Sequence, residues 1–299
     1  MAPLLKKLFR LRRSATEDIP TVPLSKPTAE EDVTPDSRPQ LEVQQFVVGC
    51  SQSAGVQRDH NEDALLTLTT NLASDHTRIP IGLYIVADGM GGHKHGEIAS
   101  GLAVRAVGSY IIRKVLISLL SPKPIAPDDS IQEIMQEGVQ EAHRVITKHA
   151  PGGGTTMTAI LILDDQMTIA HVGDSRAYAI SPQGEMNVLT RDHSLVMRMM
   201  ELGQLSADEA AVHPQRNVLY RALGQGEPFS PDTNTLPLPK SGYLLLCSDG
   251  LWGVISEDEI AHIVTTAPNP QIATQKLIDA ANEAGGPDNI TAIIIQVPA

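Results

Sequence analysis

Met157-Thr158-Ala159-Ile160-Leu161-Ile162-Leu163-Asp164-Asp165-Gln166-Met167-Thr168-Ile169-Ala170-His171-Val172 holds two apolar runs joined by a pair of acids. Met157 to Leu163 reads as a strand, Asp164-Asp165 as a two-residue turn, and Met167 to Val172 as the returning strand. So short a connection joins antiparallel neighbours, whereas a parallel pair needs a crossover, usually a helix. A doubly wound parallel sheet does not fit here. Ala177 to Ile180 and Met186 to Leu189, flanking Pro182-Gln183-Gly184, predict a second hairpin. The sheet is therefore largely antiparallel, with long helices inserted or appended.

Upstream, Gln45 to Cys50, Ala64 to Thr69 and Ile79 to Val86 read as strands; downstream, Tyr243 to Cys247 and Ile290 to Val297 do. Ala99, Leu102, Ala103, Ala106, Val107, Tyr110 and Ile111 keep the i, i+3, i+4 spacing of a long helix. A second helix follows over Ile131 to Ile146, after a Pro-rich break at residues 121–127. Residues 192–214 are polar and helical, with Asp192 as an N-cap, Gly203 as a stop and Ser206-Ala207-Asp208-Glu209 as a capping box. Ser256-Glu257-Asp258-Glu259 caps another helix, and a last one runs from about Pro270 to Ala284, stopped by Gly285-Gly286. No internal repeat is visible.

The 299 residues carry a net charge of −12, with 41% hydrophobic and only 3% aromatic residues. The core must therefore be aliphatic. Residues 1–13 hold five bases and no acid, with Leu4, Leu5, Leu8 and Phe9 at helical spacing. That segment reads as a frayed, solvated tail, with a membrane- or partner-binding helix and a transit peptide as alternatives. Residues 14–44, rich in Pro and acids, read as a disordered linker. The domain division is thus a 1–44 tail and a folded unit over 45–299. An acidic body argues against nucleic acid as partner, because phosphate contacts need clustered Lys and Arg. Cys50 and Cys247 stand in no metal-ligand spacing, and no run reaches the length of a membrane span. A reducing, cytoplasmic setting is the expectation.

The acids carry the chemistry. Asp63, Asp88, Asp174, Asp249 and Asp288 each abut an apolar run, and Asp88 is followed by three glycines in four residues. One Asp-Gly is an ordinary turn. Several strands each delivering an acid can converge into a carboxylate cluster, whose mutual repulsion is relieved by a divalent cation. All-oxygen ligands without a His or Cys pair favour Mg²⁺ or Mn²⁺ over Zn²⁺.

Arg58-Asp59-His60-Asn61-Glu62-Asp63, Asp88-Gly89-Met90-Gly91-Gly92-His93, Gly154-Thr155-Thr156, Gly173-Asp174-Ser175-Arg176, Ser248-Asp249-Gly250-Leu251-Trp252 and Gly286-Pro287-Asp288-Asn289 occur in that order. Together they resemble the metal-dependent protein serine/threonine phosphatases of the protein phosphatase 2C (PPM) type, in their bacterial single-domain form, over roughly residues 45–298. The resemblance implies an α+β fold: a four-layer α/β/β/α sandwich, two antiparallel sheets flanked by helices, with a small flap subdomain at about 191–224. It implies two Mn²⁺ or Mg²⁺ ions in a core site and a third, weaker one. Asp88 would bridge two ions, the Gly89 carbonyl would bind one, and Asp249 and Asp288 would complete the other's shell. Asp174 would hold the third ion together with Asp249. Glu62, Asp63 and Asn289 would lie in the outer shell. The implied reaction is direct attack on phosphoserine or phosphothreonine by a hydroxide bridging the two ions. Arg58 would clamp the phosphate. His93 has two readings, a proton donor to the leaving oxygen or a structural turn residue. The implied partners are phosphorylated proteins, among them a Ser/Thr kinase and its substrates, and the family default is a monomer.

Three features are discounted. Gly152-Gly153-Gly154-Thr155-Thr156 lacks the Lys-Ser/Thr end of a P-loop. Asp192-His193-Ser194 cannot point three neighbours inward as a nucleophile triad, and His171 reads as a satisfied core or outer-shell histidine. The alternatives to a phosphatase are a catalytically weak relative acting as a phosphoprotein-binding adaptor, and a metal phosphodiesterase.

Overall fold

The computed structural model describes residues 45–298 apart from 75–76, 92–93, 122–128 and 227–228. The expectations for the 1–44 tail and for His93 lie outside the described residues. Strands β1 (Val47–Ser53), β2 (Ala64–Ser74), β3 (Thr77–Ala87) and the short β4 (Gly89–Met90) lead to helix α1 (Lys94–Ile111). A π-helical turn, Ile112–Leu116, continues it into α2 (Ile117–Leu120). Next come α3 (Ile131–His149), β5 (Gly154–Thr155), and the hairpins β6 (Met157–Leu163)–β7 (Gln166–Val172) and β8 (Arg176–Ile180)–β9 (Met186–Val188). The short helices α4 (Leu195–Glu201) and α5 (Ala207–Ala211) follow, then β10 (Asp232–Pro237) and β11 (Gly242–Cys247). The chain closes with α6 (Asp249–Trp252), α7 (Glu257–Thr266), α8 (Pro270–Glu283) and β12 (Ile290–Val297).

The hairpin forms as its sequence requires: Met157 pairs with Val172 and Leu163 with Gln166. Asp164 takes the left-handed conformation at φ 58°, which Asp tolerates in tight turns. Two five-stranded sheets result, ordered β1-β12-β11-β8-β9 and β10-β7-β6-β3-β2. Every strand pairing among the described residues is antiparallel.

Alternation within the strands builds four layers. Tyr84, Val86, Ile160, Ile162, Leu244 and Ile293 meet between the sheets. Leu83, Ile85, Ala159 and Leu161, pointing the other way, pack under α1 and α3, while Leu245, Cys247, Ala292 and Ile294 pack under α7 and α8. Both faces of the central strands are buried, so they read as unbroken apolar runs.

The register also gathers the acids. Ala64 pairs with Ala87, Val86 with Thr158 and Met157 with Val172. Cys247 pairs with both Ala292 and Arg176, and Ser53 with Ile290. The start of β2 and β12 and the ends of β3, β7 and β11 therefore share one end of the sandwich.

One strand goes beyond the expectations and one expectation changes. Strand β10 had no signal in the sequence: it is a half-exposed edge strand of polar residues closing on Pro237. The N-cap of α4 is Ser194, whose hydroxyl accepts from the Met197 N–H. Asp192 instead binds the Arg176 guanidinium.

Candidate active site and metal centre

A cavity of about 470 Å³ opens at that end, lined by Arg58, Glu62, Asp88, Asp174, Asp249 and Asp288 among others. Asp88 is pinned by its backbone. Its N–H donates to the Thr156 hydroxyl at 3.0 Å, and its carbonyl accepts from the Thr156 N–H and the Thr155 hydroxyl, both at 2.8 Å. The Gly154-Thr155-Thr156 stretch thus fixes the strand end that delivers the acid.

Packing requires glycine at position 89. A Cβ there would lie 2.4 Å from the Gly96 carbonyl oxygen and 2.5 Å from that of Glu62. The first turn of α1 and the start of β2 close on this residue. The Ser100 hydroxyl completes the contact by donating to the Glu62 carbonyl at 2.6 Å.

Asp63 lies behind the cavity wall. One carboxylate oxygen accepts from Ser248 Oγ at 2.8 Å and Thr291 Oγ1 at 2.6 Å. The other, like Oδ1 of Asp249, is buried without a hydrogen-bond partner. Asn289 is a clamp: its Oδ1 accepts from the Glu62 N–H at 2.7 Å, and its Nδ2 donates to the Ala54 and His60 carbonyls, each at 2.9 Å. Arg58 donates to Asp288 Oδ2 at 2.7 Å and is about half exposed.

Burial, opposed by its two hydroxyl donors and aided by the charges of Asp249 and Asp288, pushes Asp63 up to about 7. Burial and then the Asp288 charge push Asp249 up to about 6. Asp88 and Asp174 rise well above the carboxylate range, first through burial and then through neighbouring carboxylates. Among the described lining residues Arg58 is the only lysine or arginine. The charge is thus largely uncompensated, and two buried carboxylate oxygens lack partners. Among the described residues no group of three or more acids, histidines or cysteines is placed, as it stands, to hold a metal ion. The donor chemistry, all oxygen and strongly negative, nevertheless fits a hard divalent cation.

The neighbouring turn is held tightly. The Trp252 indole N–H donates to the Asp174 carbonyl at 3.0 Å, and the Arg176 guanidinium lies 3.6 Å from the Trp252 ring centroid. Arg176 also bonds Asp192 at 2.8 Å. His171, as expected, is buried and satisfied, with Thr158 Oγ1 2.9 Å from Nδ1 and the Arg191 carbonyl 3.1 Å from Nε2. The sequence reading missed Ser248 and Thr291, the hydroxyls on Asp63. It also missed Asn217 and Leu219, which bring the segment after α5 to the cavity. Ser248 stood beside a flagged aspartate. Thr291 had no signal, since its partner is 228 positions away.

The model of the family described as protein phosphatase 2C matches residues 48–290. Protein phosphatase PhpP of Streptococcus pneumoniae is 39% identical over 218 residues, 72% of this chain and 85% of that protein. The solved serine/threonine phosphatase of S. agalactiae is 33% identical with a TM-score of 0.70, covering 85% of this chain and 100% of its own. The catalytic domain of the serine/threonine phosphatase PstP, solved with two manganese ions, is 26% identical with a TM-score of 0.68, covering 85% and 99%. With the sandwich, the order of its acids and a family match across nearly all the described residues, the chain belongs to the protein phosphatase 2C family and is a serine/threonine phosphatase.

Proposed function

We propose that this phosphatase hydrolyses phosphoserine and phosphothreonine in proteins at the carboxylate-lined cavity, with Mn²⁺ or Mg²⁺ held by Asp88, the Gly89 carbonyl, Asp249 and Asp288, and a further ion near Asp174. The observation that carries the reading is the buried, uncompensated carboxylate cluster with two unpartnered oxygens. The manganese ions of the PstP structure support it. When bound, such ions supply water acidified toward neutral pH and positive charge against the phosphoryl oxygens.

The chain's own residues do the rest. Thr155 and Thr156 hold the Asp88 backbone, and Ser248 with Thr291 orients Asp63 behind it. Such outer contacts fix ligand direction. Arg58, exposed at the rim, releases Asp288 and turns to the phosphate, for which its planar fork is suited. The body of the substrate lies beyond the rim. A second cavity of about 480 Å³ shares Asp174, Asn217 and Asp249 with the first and is lined by Met197, Met200, Trp252 and Ile255. One wall of it comes from the 191–224 flap, which supports polypeptide over nucleotide substrates.

A substrate panel tests this. Phosphothreonine and phosphoserine peptides should be hydrolysed well in Mn²⁺, and bis(p-nitrophenyl) phosphate poorly. Preference for the diester would replace the protein phosphatase with a phosphodiesterase, and tight phosphopeptide binding without turnover would favour the adaptor.

A further inference from the structure

His193 takes no part in the chemistry above, yet it bonds both the turn before Asp174 and the segment after α5. Its ring is 1% exposed and packs 5.0 Å from that of His171. Its backbone N–H donates to the Gly173 carbonyl at 2.7 Å, and its Nδ1 accepts from the Gly173 N–H at 3.1 Å. Both polar backbone groups of Gly173 are thus clasped by one residue. Gly173 has φ +101°, and a Cβ there would meet Thr156 at 2.6 Å, so Gly173 has no side chain of its own to fix its peptide planes.

Because Nδ1 accepts, the ring hydrogen sits on Nε2, which faces Asp232 Oδ2 at 3.1 Å. Asp232 is held in turn by Arg221 at 2.7 Å. Burial keeps the His193 ring below its ordinary pKa, as the acceptor role of Nδ1 requires. The His193 carbonyl accepts from the Tyr220 N–H at 2.9 Å, and Ser194 pairs with Leu219. The two ends of the flap therefore meet at His193, one peptide away from the turn that carries Asp174.

We infer that His193 is a positioning residue: its two-point clasp on Gly173 sets the Asp174 carboxylate in the cavity and ties it to the base of the flap. This rests on the phosphatase reading for its kinetic consequence, though not for its structural one. The flap supplies Asn217 and Leu219 to the same cavity. Substrate contacts made by the flap and the placement of Asp174 are thereby linked through one side chain.

Two variants separate the halves of the clasp. His193→Asn keeps an acceptor at the position of Nδ1; His193→Gln keeps a donor toward Asp232 but loses that acceptor. The Gly173 amide should exchange with solvent much faster in His193→Gln and stay near wild type in His193→Asn. Mn²⁺ affinity by calorimetry, and kcat on p-nitrophenyl phosphate, should fall about 10- to 100-fold in His193→Gln, the usual loss for an outer contact. KM should change little, and His193→Asn should recover most of the loss. In an Asp174→Asn background the effect of His193→Gln on both quantities should vanish, because coupled positions are not additive. The clasp is refuted if the two variants behave alike at matched melting temperature, or if the losses simply add. Failure of wild-type protein to turn over any phosphomonoester would instead overturn the phosphatase reading, leaving the amide-exchange result to judge the clasp.

Discussion

Asp88, Asp249 and Arg58 separate the site's tasks. Asp88→Asn or Asp249→Asn should lower kcat by at least about 100-fold in saturating Mn²⁺ while the fold survives, because on the proposed function each would remove a ligand from an ion that activates water. Near-normal turnover in either would remove that residue from the site. Arg58→Ala should raise KM about tenfold and lower kcat less, as expected for a group acting mainly through binding. His171 makes a stability prediction of opposite character. Burial lowers its pKa from 6.5 to about 3, so between those values the unfolded chain binds the extra proton and stability falls as pH falls. From pH 7 to pH 5 that loss is about 2 kcal/mol. His171→Asn, less stable at pH 7, should lose about that much less over the same interval in urea titrations. The acids were legible in the sequence because nothing in core packing asks for a carboxylate at a strand end. Thr291 was not, because a hydroxyl in a strand is ordinary until a distant carboxylate reaches it. The contacts of His193 were hidden for the same reason: its partners come from three separate segments.

Strand ends and helix starts do the placing. Strand β3 runs straight into Asp88, and β4 then pairs with β5 so that Thr155 and Thr156 close on it. Helix α1 begins so near Gly89 that only glycine fits. Gly89→Ala should therefore cost about 1–3 kcal/mol, the range for overpacking against atoms that cannot yield, and should also reduce kcat by moving Asp88. A melting temperature and a rate equal to wild type would contradict that packing. The hairpin, the long helices, the Ser206–Glu209 capping box and the Ser256 cap were readable from local pattern, since turn chemistry and periodicity act within a few residues; the capping box of Ser130 and Glu133 on α3 was overlooked. Strand β10 was not, because an edge strand with one half-exposed face carries polar residues and tolerates Pro237 at its end. The cap of α4 was misplaced by two residues because Asp192 and Ser194 are equally good caps. In the fold Asp192 is taken up by Arg176, and Ser194 caps the helix.

Across the whole molecule, two antiparallel sheets supply an aliphatic core while one end of the sandwich collects charge that the core cannot tolerate. The burial that raises Asp63 and Asp249 also makes the cluster a site that a divalent ion would stabilise. The account stands most directly on phosphate release from a phosphothreonine peptide by chelator-stripped protein, measured as Mn²⁺ is added back. Turnover should be absent without metal and rise to saturation with it, in wild type and not in Asp88→Asn. Undiminished turnover by stripped, folded protein, or equal restoration in Asp88→Asn, would contradict it.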